Sequence, residues 1–104
     1  MKQRIGLYTW NVLFVSKDSI IGDDGQTKTN DFLILIRNDL PLETTRIAIT
    51  HEVVHALLST QGRVYQRKFD VEEVCEFIAW KLPEINNVVE DIMVEVEKNV
   101  CSSR

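Results

Sequence analysis

The only two histidines of this chain, His51 and His55, stand four residues apart, with Glu52 directly after the first, in the stretch His51-Glu52-Val53-Val54-His55. On an α-helix, residues four apart rise ~6 Å and turn ~400°, so both imidazoles leave one face and can converge on a single ion. Zn2+ accepts imidazole nitrogen at ~2.0–2.1 Å and makes no stereochemical demand that such a pair violates. Glu52, ~100° further round, is off the ligand axis but beside it, where a carboxylate can serve as base toward a metal-activated water. The plainer account is that two histidines fell four apart in an amphipathic helix. The surrounding segment is apolar, however, and burying two imidazoles and a carboxylate without partners is costly. Metal binding is therefore the expectation.

A catalytic zinc usually has three protein ligands and keeps a fourth position open, so a further donor must come from elsewhere. Asp70, Glu72, Glu73, Cys75 and Glu76 follow the histidines. Asp70 and Glu73 have the spacing of an N-terminal capping box, which gives them a structural role. Glu72 and Glu76 lie four apart on one helical face, with Cys75, Ile78, Ala79 and Leu82 to one side and Phe77 and Trp80 to the other. Carboxylates set within an apolar surface imply a nearby cation or donor. The simplest assignment makes Glu72 the third ligand and Glu76 the acceptor for the other ring N–H of a ligand histidine. Glu73 and then Glu76 are the alternatives for the ligand. Cys75 reads as a small buried hydrophobe, or else as a thiolate closing a structural zinc site with no room for water.

These groups need elements to hold them. Tyr8, Trp10, Val12 and Phe14 alternate with Thr9, Asn11 and Leu13, the period-two pattern of a strand. Ile21 to Gln26 concentrates turn formers, and Phe32 to Ile36 is apolar at every position, as in a strand covered on both faces. Residues 27–30 extend that strand or form a short one of their own. Pro41 suits the first turn of a helix and Gly62 its left-handed end, giving a helix of about twenty residues between them. Apolar residues lie nearly all round it, which predicts a buried, central helix. A second helix is expected from Asp70 to Lys81 or Leu82, where Pro83 interrupts it and begins a third. In that third helix Ile85, Val88, Val89, Ile92 and Val96 recur at helical spacing. The reading is one α+β domain over residues 1–104: a small twisted sheet of about three strands, packed against three helices, with the metal between the first two.

Composition narrows the function classes. The chain has 104 residues, 44% hydrophobic and 27% charged, near the ~45–50% and ~25% of ordinary globular domains, so it is not a disordered or low-complexity chain. A net charge of −4 supplies no general field for a polyanion, and Arg63, Arg67 and Lys68 form only a small basic cluster, so no nucleic-acid partner is expected. No run approaches the ~18 apolar residues of a membrane span. Two cysteines are too few for a disulfide scaffold. The stretch from Ile5 to Val15 has the outline of a leader, but Thr9, Asn11 and aromatics interrupt it and Ser16-Lys17-Asp18 stands at the cleavage position. A cytoplasmic protein is expected.

His51-Glu52-Val53-Val54-His55-Ala56, preceded by an apolar strand and an acidic Pro-containing turn and followed by Glu72-Glu73-Val74-Cys75-Glu76-Phe77-Ile78-Ala79, resembles small zinc metallopeptidase-like proteins of bacteriophages and their Gram-positive hosts, of the ImmA/IrrE type. The resemblance runs from about Trp10 to Ala79. It implies a minimal zincin-like domain that binds Zn2+ and hydrolyses a peptide bond in a peptide or protein substrate. By motif position it places the histidine ligands on His51 and His55, the general base on Glu52 and the glutamate ligand on Glu72. Larger members commonly carry Ala-Asn where this chain has Cys75-Glu76. The alternative reading is a non-catalytic phage or bacterial interaction or regulatory module with a structural zinc site.

Overall fold

The computed structural model describes residues 1–60 and 71–102. The fold is α+β, a four-stranded mixed sheet with two helices. The strands are β1 (Lys2–Ile5), β2 (Tyr8–Val15), β3 (Gly25–Lys28) and β4 (Leu33–Arg37), in the order β1-β2-β4-β3. The helices are α1 (Leu42–Thr60) and α2 (Val71–Ser102). β1 and β3 run antiparallel to their neighbours, whereas β2 and β4 run parallel.

The sheet has one strand more than the sequence predicts, because the apolar run that starts at Ile5 is broken by a turn. Gly6 adopts φ +64 at the first central position of a two-residue hairpin, with Ile5 opposite Tyr8. A single positive φ at that position is the II′ pattern, which glycine adopts without steric penalty. The expected β2 and β4 are present. β4 lies between β2 and β3, and Ile34, Leu35 and Ile36 are all buried, as expected of a strand covered on both faces.

The core joins Trp10, Val12, Ile34 and Ile36 from the sheet to Ile49, Val53, Ala56 and Leu57 of α1 and to Phe77, Ile85, Val88, Val89, Ile92, Met93 and Val96 of α2. α1 begins one residue after Pro41, whose carbonyl accepts from the Thr45 N–H at 2.9 Å. It is not buried all round as expected. Ile47 on its other side is 68% exposed, and Val54 and Leu58 are half-buried. Toward its end, Ser59 and Thr60 donate back to the Ala56 carbonyl, partners that helix-terminal carbonyls need. Gly62, the cluster Arg63, Arg67 and Lys68, and Asp70 of the expected capping box lie outside the described residues.

The two helices expected after residue 70 are one, since α2 continues through Pro83 for 32 residues. Proline removes one N–H and crowds the carbonyl four residues back, that of Ala79. Both residues are exposed, so water can bond that carbonyl, and apolar contacts at Phe77 and from Ile85 onward anchor the helix on both sides. Arg46 of α1 pairs with Glu90 of α2, tying the helices at the surface. Among the described residues no helix is long and apolar enough to cross a membrane.

Where β4 turns into α1, Arg37 donates two parallel hydrogen bonds to Asp39, at 2.9 and 2.8 Å. That bond pattern holds the Asp39 carboxyl below its ordinary value. The sign follows from linkage: the interaction is fully present above the unfolded-state pKa of ~3.9 and is lost as pH falls through the lower folded value. An NMR titration should show Asp39 protonating below ~3.9, returning toward it in Arg37→Ala. Pro83→Ala should restore one helical hydrogen bond and raise the free energy of urea unfolding by about 1–3 kcal/mol.

Candidate metal centre

α1 packs against the edge strand β3, and the site is built at that contact. Glu52 is turned inward and only 5% exposed. A buried carboxylate is expensive unless it is hydrogen-bonded. Thr27 of β3 supplies the bond, its Oγ1 donating to Glu52 Oε1 at 2.7 Å. The same Oγ1 lies 3.3 Å from the Glu52 backbone oxygen. One hydroxyl proton serves one acceptor at a time, so the shorter, charge-assisted bond is the stronger. Gly25 permits the close approach: a Cβ there would sit 3.0 Å from Glu52 Cγ and 3.2 Å from Oε2.

With Glu52 facing the sheet, the residues one before and three after it point outward. His51 and His55 are both exposed, which corrects the expectation that the imidazoles are buried with the carboxylate. Their rings do converge. The two Nε2 atoms stand 3.1 Å apart, with ring centroids 4.7 Å apart at 66°. Two nitrogens each ~2.05 Å from one tetrahedral ion would be ~3.3 Å apart, so the pair fits zinc almost as it stands. Both nitrogens cannot donate to each other, so at least one Nε2 presents its lone pair inward. Glu52 Oε2 lies 4.0 Å from His51 Nε2, beside the pair rather than bonded to it. The three-residue constellation read from the sequence is thus assembled.

The rest of the expected site is not brought to it. Glu72 is exposed in the first turn of α2, and Glu76 is exposed as well. Among the described residues no group of three His, Cys, Asp or Glu side chains is set to hold a metal ion. Cys75 is exposed, so it is not the small buried hydrophobe expected. Glu73 is half-buried and engaged with other groups. The apolar surface that was to enclose these carboxylates is itself uncovered, for Val74, Ile78, Trp80 and Leu82 are all exposed.

Two clefts open at the site. The larger, about 470 Å3, runs between His51, Glu52 and His55 and the residues Gly25 to Thr27, reaching Leu58 and Thr29. The smaller, about 220 Å3, lies toward Asp23, Asp24, Ile47 and Ala48. Sequence reasoning missed Thr27, Gly25 and Asp23. The first had only been a choice between two strand assignments, and the other two belonged to a turn. A period-two reading of β3 would have put Gly25 and Thr27 on one face, with no local signal that the face meets Glu52 twenty-five residues on.

Thr27→Val keeps the side-chain shape but leaves a buried carboxylate oxygen without its donor. It should destabilise the fold by about 1–3 kcal/mol in urea unfolding, and Thr27→Ser should recover most of the loss. No family model, no curated protein and no solved structure matches this chain, so its function is argued from this geometry.

Proposed function

We propose that this chain is a zinc-dependent metallopeptidase-like protein of minimal zincin type that hydrolyses a peptide bond in a peptide or protein substrate. The observation that carries this reading is the pair of Nε2 atoms 3.1 Å apart with a buried carboxylate oxygen 4.0 Å from one of them. His51 and His55 hold the ion. Bound zinc supplies a Lewis acid that acidifies water and polarises a carbonyl. Glu52 then needs one fixed oxygen and one working oxygen. Thr27 fixes Oε1, which leaves Oε2 on the histidine side to accept a proton and return it to the leaving amine.

Glu72 is the proposed third ligand, with Glu73 and Glu76 next. No three-donor group is assembled among the described residues, so in this reading occupancy draws Glu72 toward the histidines. The substrate lies extended beside β3. Among the described strands β3 pairs with β4 alone and stands at the sheet edge, where a substrate backbone can add as a further strand.

A second reading, a non-catalytic phage or bacterial regulator that binds a protein partner and retains a structural zinc, has one observation in its favour. Trp80 is 80% exposed on the same half of α2 as exposed Val74, Ile78 and Leu82.

Metal analysis with a chelator-sensitive cleavage assay on a broad peptide library separates the readings. His51→Ala should lose its zinc, Glu72→Gln should bind zinc at least tenfold more weakly, and Glu52→Gln should retain zinc but lose cleavage. A Glu52→Gln protein that still cleaves removes the base. Zinc loss with unfolding in Cys75→Ser favours the structural site.

A further inference from the structure

The smaller cleft has no role in the proposed chemistry, yet it shares Asp23, Gly25, His51 and Glu52 with the larger one. The two clefts are therefore adjacent, sharing a wall that carries His51 and the proposed base Glu52, while His55 lines the larger one. A peptide whose scissile bond sits against that wall can reach the smaller cleft with a neighbouring side chain. At about 220 Å3 that space is below the ~300 Å3 typical of whole-ligand pockets and suits a single long side chain.

The lining is two-part. Ile47, 68% exposed, and Ala48 provide an apolar surface on α1, while Asp23 and Asp24 supply the acidic part, with no Lys or Arg among the described lining residues. Asp24 is 3.5 Å from Arg37, whose closer bonds are to Asp39. Among the described residues Asp23 has no ion-pair partner, and no three donors gather there to hold a metal ion instead. An apolar stem ending in a cation matches this order: methylenes along Ile47 and Ala48, the charge at Asp23 and Asp24.

Resting on the metallopeptidase reading, we propose that the smaller cleft receives a lysine or arginine side chain, so that cleavage falls beside a basic residue of the substrate. The test uses the zinc-loaded full chain and a peptide library that retains Lys and Arg, read by mass spectrometry. Lys and Arg should be enriched at least tenfold at one position flanking the cut. In a matched peptide pair, the Lys-over-norleucine preference should collapse toward one in Asp23→Asn and in Asp23→Asn/Asp24→Asn, with zinc content unchanged. Cleavage without basic enrichment overturns the proposal, as does a preference that survives both variants. Zinc loss in Asp23→Asn overturns it too, since Asp23 would then be a ligand.

If the wild type cleaves nothing, the peptidase reading fails and the cleft is judged by binding alone. In an NMR titration, acetyl-Ala-Lys-Ala-amide should bind at least tenfold more tightly than its norleucine analogue and shift the amides of Asp23, Ile47 and Ala48. Equal affinity, or shifts elsewhere, overturns the proposal.

Discussion

The bond from Thr27 to Glu52 ties the helix to the sheet edge and sets everything else in the site. Burying a carboxylate is tolerable only where a donor meets it, and the donor here comes from the edge strand, which in the described sheet pairs with β4. The bond fixes the rotation of α1 about its own axis at this level. With Glu52 inward, His51 and His55 fall on the outward side of the same helix, and Val53, Ala56 and Leu57 face the core. Gly25 completes the arrangement by letting β3 close on the carboxylate, since any Cβ there would press on Glu52 and on Ile36. Glu52 is thus a structural residue as well as the proposed base.

The rest of the fold keeps that contact from loosening. β4 is the central strand beside β3, and Ile34 and Ile36 are among its most deeply buried residues. Each fully buried side chain of this size contributes about 1.5–3 kcal/mol, and the two sit next to the strand that carries Thr27. Phe32, just before β4, holds φ +48 despite being neither glycine nor asparagine. Its ring packs on Tyr8 and Trp10, its N–H bonds the Thr29 carbonyl and its carbonyl accepts from Asn11, so several contacts offset the backbone strain. The turn from β3 into β4 is thereby held at one geometry.

What could be read from the sequence follows the range of the interactions. The convergence of His51 and His55 is a property of helical spacing over four residues and needs no tertiary information. Trp10 and Val12 in β2, and Ile85 to Val96 in α2, were legible for the same reason, because period two and period 3.6 are local. Thr27 was not, since its meaning lies in a residue twenty-five positions away. Pro83 misled because the local rule for proline is strong, while packing on both sides of it favours a continuous helix. The burial predicted for Glu72, Cys75 and Glu76 is not found, for all three are exposed. Their apolar neighbours suggested burial, but an apolar stripe says only that a face can be covered, not that it is.

That uncovered stripe bears on how a third ligand could arrive. The half of α2 after Pro83 buries Ile85, Val88, Val89, Ile92, Met93 and Val96, whereas among the described side chains of the half before it only Phe77 is buried. Lys81 bonds Glu84 within the helix, and Glu73 in the first turn is engaged with other groups. An element with few buried contacts opens at low free energy while its well-packed continuation stays in place. Pro83, which interrupts the helical bonding between the halves, is where such a motion would be taken up. A carboxylate in the first turn would then move by the flexing of the sparsely buried half-helix, leaving the histidine pair and the Thr27–Glu52 bond undisturbed. The division of α2 into a half rich in buried apolar side chains and a half poor in them is the physical ground for proposing that Glu72, exposed as it stands, serves a site built on α1.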